Sequence, residues 1–194
     1  KDLFSGILDG SITTALAIDE KPHHNPNAIT TSAKRDGDKY LINGKKIFVI
    51  DGASASHIIL IARTSGNEGD IEGLTAFIIP SNTPGLEISS LSLADSRNYA
   101  ALEFDNLEVS TDSLLGEEGA ASGAVESILD HGRIAIAAEM LGMTEEAFEI
   151  TNSYLKERKQ FGVLIGSFQA LQHRAAKMFC EIELSKSTIL AAMF

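Results

Sequence analysis

A single cysteine, Cys180, occurs in the 194 residues, so no disulfide can form within the chain. That usage fits an intracellular, reducing compartment: the cytoplasm or, in a eukaryote, the mitochondrial matrix. Cys180 lies among apolar residues at helical spacing, where a buried, inert thiol is expected. No apolar run approaches the length of a membrane span. Cations are scarce: 16 Lys and Arg stand against 27 Asp and Glu, a net charge of -11. This balance argues against a general nucleic-acid surface and leaves room only for a local basic pocket. Metal-ligand spacing is missing, because His23 and His24 are adjacent between Pro22 and Pro26 and the other three histidines are scattered. The histidine pair reads as a solvated turn. G-x-S-x-G, Walker and G-x-G-x-x-G patterns are absent too, which removes nucleophile elbows and the standard phosphate loops. Internal repeats and low-complexity tracts are likewise missing.

What remains is a chain with 44% hydrophobic and 22% charged residues, enough for a real core in one large or two small domains. KDLFSGILDG opens without a Met or a leader, and SKSTILAAMF stops inside a helical pattern without a C-cap glycine; a fragment of a longer protein is expected. Leu3, Phe4, Ile7 and Leu8 predict a short helix over residues 1 to about 12. From Tyr40 the text turns β-like, and Asn43-Gly44 between apolar runs predicts a hairpin turn. HIILIAR, LTAFIIP, LEISSLSL and YAALEFDNLEV follow as strands without intervening helices. An antiparallel β-sandwich or open barrel is therefore expected. From Ala121 to about Arg158, Val125, Ile128, Leu129, Ile136, Met140, Leu141, Phe148 and Tyr154 keep a helical period. A second helix is expected from Ser167 as N-cap, with Leu171, Ala175, Met178, Phe179, Ile182 and Ile189 on its stripe. Such a helical hairpin cannot bury its stripes alone and expects more helices, from chain outside these residues or from another subunit.

Two groups of residues invite a chemical reading. Asp130 and Arg133 stand three apart in LDHGRIAIAAEMLG, hence on one helix face. They form either a plain intrahelical ion pair or the mouth of a pocket. RKQFGVLIGSFQALQHR sets Arg158, Gln160 and Phe161 before a fresh helix start at Phe168 and Gln169. A cation at a helix C-terminus suits the dipole. A guanidinium beside an aromatic and a helix N-terminus also suits a pyrophosphate carrying a flat ring.

The stretches DGDKYLINGKKIF, LTAFIIP with PGLEIS, LEFDNLEVSTDSLLGEEG, LDHGRIAIAAEMLG and RKQFGVLIGSFQALQH stand in one order and spacing. Together they resemble the acyl-CoA dehydrogenase family over nearly the whole chain. The resemblance implies three parts: residues 1–13 as the tail of an N-terminal helical domain, 14–115 as the middle β domain, and 116–194 as the first two helices of a C-terminal four-helix bundle, which is thus incomplete here. It implies FAD as cofactor, an acyl-CoA thioester as substrate, and a homo- or hetero-oligomer, a dimer of dimers. The implied reaction is α,β-dehydrogenation, with the α-proton taken by a glutamate and hydride passing to flavin N5. Leu16, Ile18, Asp19, Phe48 and Ile50 would line the flavin. Arg158, Gln160 and Phe161 would face the FAD of a neighbouring subunit, with Phe168 and Gln169 near its adenine end. Asp130 and Arg133 would bind substrate near the thioester.

Departures from the family pattern are concentrated in the flavin loop. DEKPHHNP, Asp19 to Pro26, takes the place of Thr-Glu-Pro-x-Ala-Gly-Ser-Asp, so Asp19 replaces a threonine. A carboxylate beside flavin and pyrophosphate is unwelcome unless it points away. Phe48 stands for the usual stacking tryptophan, and Ile50 for a threonine whose hydroxyl bonds flavin N5, an electrostatic aid that isoleucine cannot give. A catalytic base is not visible: where some members carry a glutamate before the arginine, this chain has Gly132. The sequence thus supports a dehydrogenase with its base on chain outside these residues. The alternative is a non-catalytic scaffold subunit that completes a partner's FAD site.

Overall fold

The computed structural model describes residues 2–194, which divide into two units, the first reaching to Val125 and the second running from Glu126 to Phe194. The first unit opens with helix α1 (Asp2–Leu8), then folds into a single open sheet. Its strands are β1 (Thr14–Ala17), β2 (Ser32–Asp36), β3 (Lys39–Ile50), β4 (His57–Arg63), β5 (Leu74–Pro80), β6 (Leu86–Leu91), β7 (Tyr99–Ser110) and the short β8 (Leu114–Leu115). They lie in the order β6-β7-β3-β2-β4-β5-β8, with β1 also on β4. All four expected β-rich runs form strands. Strands β1 and β2 have no counterpart in the sequence reading, because β2 (SAKRD) is mostly charged and buries only Ala33.

The sheet is mixed. Strand β1 runs parallel to β4, with Thr14–Ala17 opposite His57–Leu60, and β2 meets β4 in the parallel sense where Ser32 faces Arg63. Both therefore occupy one edge of β4. The chain leaves that edge after Ala17 and returns to it at Ser32, so residues 18–31 form an excursion whose two ends face Leu60 and Arg63. Beneath the sheet, Tyr40 and Phe77 meet edge-on at 5.0 Å amid the fully buried Ile42, Ile58, Leu60, Ile79, Leu102 and Leu107. Each such side chain stabilises the fold by about 1.5–3 kcal/mol through burial.

Asn43-Gly44 is not a hairpin turn. Both residues lie inside β3, where the register with β7 shifts between Ile42 and Gly44, and the β2–β3 turn falls instead at Gly37-Asp38. The pair is needed for close approach: at Gly44, φ is +146° and a Cβ would lie 2.7 Å from Thr31 Cα. Gly44→Ala is expected to cost about 1–2 kcal/mol through strain and overpacking, read as a lower urea midpoint.

The second unit holds most of α2 (Ser122–Glu157), a tight hairpin of β9 (Lys159–Gln160) and β10 (Val163–Leu164), and α3 (Gln169–Ala192). Helix α3 begins one residue later than expected. Phe168 occupies its N-cap position, while the Ser167 hydroxyl bonds the Leu164 carbonyl within a 3-10 turn. Lys186 bridges the two helices to Glu145 at 3.0 Å. Their apolar faces remain open: Ile136, Met140 and Phe179 are more than half exposed, and Met140, Leu141, Met178 and Ile182 line a groove of about 670 Å³. An incomplete bundle has this character. Cys180 corrects an expectation: it is exposed, because it lies two residues, roughly 200°, around the helix from the buried Ile182. Among the described residues no helix is long and apolar enough to cross a membrane.

Candidate flavin and substrate sites

The excursion from the β4 edge carries the first group of candidate residues. Leu16 is half-buried in β1 and Ile18 is buried just beyond it. The Ile18 carbonyl accepts from Lys46 Nζ at 2.8 Å, and the Asp19 carbonyl accepts from the Ile47 N–H at 2.8 Å, so the exit from β1 is tied to β3. The Asp19 carboxylate turns into its own loop. One oxygen lies 2.7 Å from His24 Nδ1 and the other accepts the Asn25 N–H at 3.0 Å. His24 thus leaves the role of idle turn residue and becomes a partner of Asp19.

Glu20 and Lys46 form a buried ion pair at 2.8 Å, their side chains 4% and 0% exposed. Glu20 also accepts the Thr30 hydroxyl and the N–H groups of Thr30 and Thr31. Burial works against its charge, but the Lys46 ammonium and the hydrogen bonds from Lys46 and Thr30 prevail and hold the carboxyl at about 2. Burial pushes the Lys46 ammonium down to about 8, although Glu20 and Asp19 favour its charge. Both groups are ionised at pH 7. Because the folded carboxyl of Glu20 lies below its ordinary 4.5, its contribution is complete above that pH and is lost as pH falls towards 2. The unfolding free energy should therefore drop over that window, and Glu20→Gln should flatten the drop; an unaltered acid limb would contradict the assignment.

Nearby, Arg63 is buried and has no carboxylate partner among the described residues. Its guanidinium donates to the carbonyls of Ile29, Ser65, Asp70 and Glu72 and so pins the excursion to the loop after β4. On β3 the register shifts between Lys46 and Val49, and Phe48 takes a φ of +54° there. A bulky residue in the left-handed region is strained and marks a position set by its surroundings. Ile50, 49% exposed, offers no donor.

The second group sits where α2 gives way to α3. Phe161 and Gly162 form the two-residue turn of the β9–β10 hairpin with φ of +53° and +80°, the geometry that favours Asn-Gly rather than phenylalanine. Phe161 is 91% exposed, and its ring meets Phe168 edge-on at 6.2 Å. The Arg158 backbone closes the connection through Tyr154 and Ile165. Its side chain, like those of Lys156, Lys159 and Arg174, has no ion-pair partner among the described residues. Gln160 and Gln169 are exposed as well. On α2, Arg133 donates to Asp130 at 2.6 Å and to Glu126 at 2.9 Å, in an exposed network. Such an exposed, solvent-screened network adds little to stability.

Sequence reasoning missed Glu20, Lys46, Arg63 and Glu126. Glu20 had a signal: within DEKPHHNP it is the position that keeps the family's acidic residue while its neighbours change. Lys46 lies 26 residues away and had none.

Residues 15–107 match the model of the acyl-CoA dehydrogenase middle domain, and residues 122–193 match that of its C-terminal domain. An acyl-CoA dehydrogenase of Bacillus subtilis is 37% identical over 193 residues, which is 96% of this chain and 50% of that protein. A short-chain-specific acyl-CoA dehydrogenase of Clostridium acetobutylicum is 34% identical over 178 residues, 87% of this chain and 47% of the relative. The crystal structure of butyryl-CoA dehydrogenase from Megasphaera elsdenii superposes with a TM-score of 0.83 at 29% identity, covering 98% of this chain and 51% of that one. The chain thus spans about half the length of the curated relatives it matches. By both domain matches and by the sheet and helical hairpin that carry them, the chain belongs to the acyl-CoA dehydrogenase family.

Proposed function

We propose that this chain is part of a FAD-dependent acyl-CoA dehydrogenase that desaturates an acyl-CoA thioester between its α- and β-carbons within a homo- or hetero-oligomer. The observation that carries the reading is Arg158, without an ion-pair partner among the described residues, close in sequence to the outward-facing Phe161. In a chain of net charge -11, a guanidinium left without a carboxylate is free for a phosphate. The donor set fits the group. Arg158 suits the pyrophosphate; the amides of Gln160 and Gln169 both donate and accept; Phe161 and Phe168 offer faces to a flat ring. FAD, when bound, accepts the hydride released from the acyl β-carbon.

In this reading Leu16, Ile18 and Asp19 border the flavin on one subunit and Phe48 packs on its ring. The self-bonded Asp19 carboxylate keeps its charge inside the excursion rather than towards the pyrophosphate. Arg158, Gln160 and Phe161 reach the FAD of the adjoining subunit. Asp130 and Arg133 orient the thioester end of the substrate. Residues 1–13, 14–115 and 116–194 serve as the end of an N-terminal domain, the β domain and the start of the bundle.

Purified natural full-length protein should carry yellow flavin that bleaches with an acyl-CoA. Ile50, exposed and without a donor where hydride acceptance needs one, favours a second reading as a scaffold subunit. Protein that is colourless alone and gains flavin only with a second polypeptide would select it.

Phe161→Asn separates folding from binding. Asparagine suits the left-handed turn, so stability should rise by about 1 kcal/mol. Flavin retention should fall, because the ring is gone. A variant that keeps its flavin would show that the exposed ring serves something else.

A further inference from the structure

Three pieces of chain converge on one buried contact at the base of the 18–31 excursion. Lys46 Nζ donates both to the Ile18 carbonyl, where the excursion starts, and to Glu20 Oε1, each at 2.8 Å. Glu20 in turn accepts the N–H groups of Thr30 and Thr31 at 2.8 and 3.0 Å, where the excursion ends. One carboxylate therefore joins the two ends, and one ammonium fastens the join to β3. Lys46 is also the last residue of β3 in register with β7, opposite Leu102, before the shift in which Phe48 adopts its positive φ.

Net stability does not explain such a pair. Two charges taken wholly out of water recover little more than their desolvation, and uncharged side chains of similar volume commonly serve as well. What the pair supplies is a single geometry: its bonds can form together only when the β1 exit, the loop return and the β3 bulge hold one arrangement.

We infer that Glu20 and Lys46 are positioning residues that close the base of the excursion and thereby set Ile18, Asp19 and Phe48 for the flavin. This rests on the FAD reading above. The pair touches no substrate and acts through the segments it joins.

The test uses the natural full-length protein and its Glu20→Gln/Lys46→Met double variant, which replaces both buried charges with uncharged side chains of similar size. Urea unfolding, FAD titration by flavin fluorescence, and amide exchange at Thr30 and Thr31 without FAD are measured on each. The expected result is a near-native urea midpoint, at least a tenfold rise in the FAD Kd, and faster exchange at both amides. A double variant as stable as wild type with an unchanged Kd overturns the inference. Should the double variant fail to fold, Glu20→Asp replaces it: the charge stays, the reach shortens, and a raised Kd at preserved stability supports positioning while an unchanged Kd refutes it. Wild-type protein that binds no FAD overturns the FAD reading itself. Closure of the excursion is then judged by exchange alone, accelerated in the variant if it holds and unaltered if it does not.

Discussion

Lys46→Ala is expected to lower the unfolding free energy by about 3–5 kcal/mol at pH 7, the usual cost of stranding one member of a buried ion pair. The Glu20 side chain is 4% exposed and would lose its only cationic partner among the described residues. Its bonds from Thr30 and Thr31 would remain, so the loss should stop short of abolishing the fold. Without the ammonium only the bonds from Thr30 and Thr31 offset burial, and the carboxyl should titrate above the wild type's value of about 2. The variant would then shed its uncompensated charge as pH falls, and the two stability curves should draw together below pH 4.5. Urea unfolding across that range reads the effect directly. Parallel curves would mean that the pair is not coupled as its geometry implies.

Arg158→Ala should weaken FAD binding by about 1.5–3 kcal/mol, the worth of hydrogen bonds to a charged group. Folding should hardly respond. The exposed side chain contacts no carboxylate among the described residues, and the bonds that close the connection to Tyr154 and Ile165 are made by its backbone. A loss of stability without loss of affinity would reduce Arg158 to a helix-end cation.

The strands from Lys39 to Ser110 were legible because alternation and turn residues carry local information. Their partners were not. Strand β1 pairs with β4 some forty residues on, and nothing in TALA announces it. Asn43-Gly44 misled because the same dipeptide that makes a tight turn also relieves a close backbone approach, here to Thr31. At the candidate site, Arg158 to Gln169 stood out as a contiguous run broken by glycine. The junction of Glu20 and Lys46 was invisible. Glu20 and Lys46 are ordinary charged residues in a charged chain, and only the return of the excursion to the β4 edge buries them together. A carboxylate at Asp19 is unwelcome beside a pyrophosphate unless it points away, and the bonds from His24 and Asn25 that hold it within its loop have no signal in the sequence.

The most direct measurement is a crystal structure of the assembled natural protein with FAD bound. The expected result is the Arg158 guanidinium about 3 Å from a pyrophosphate oxygen of the FAD on a neighbouring subunit's β unit, with Phe161 covering the same cofactor. FAD held elsewhere, or Arg158 and Phe161 standing in bulk solvent in that assembly, would contradict it.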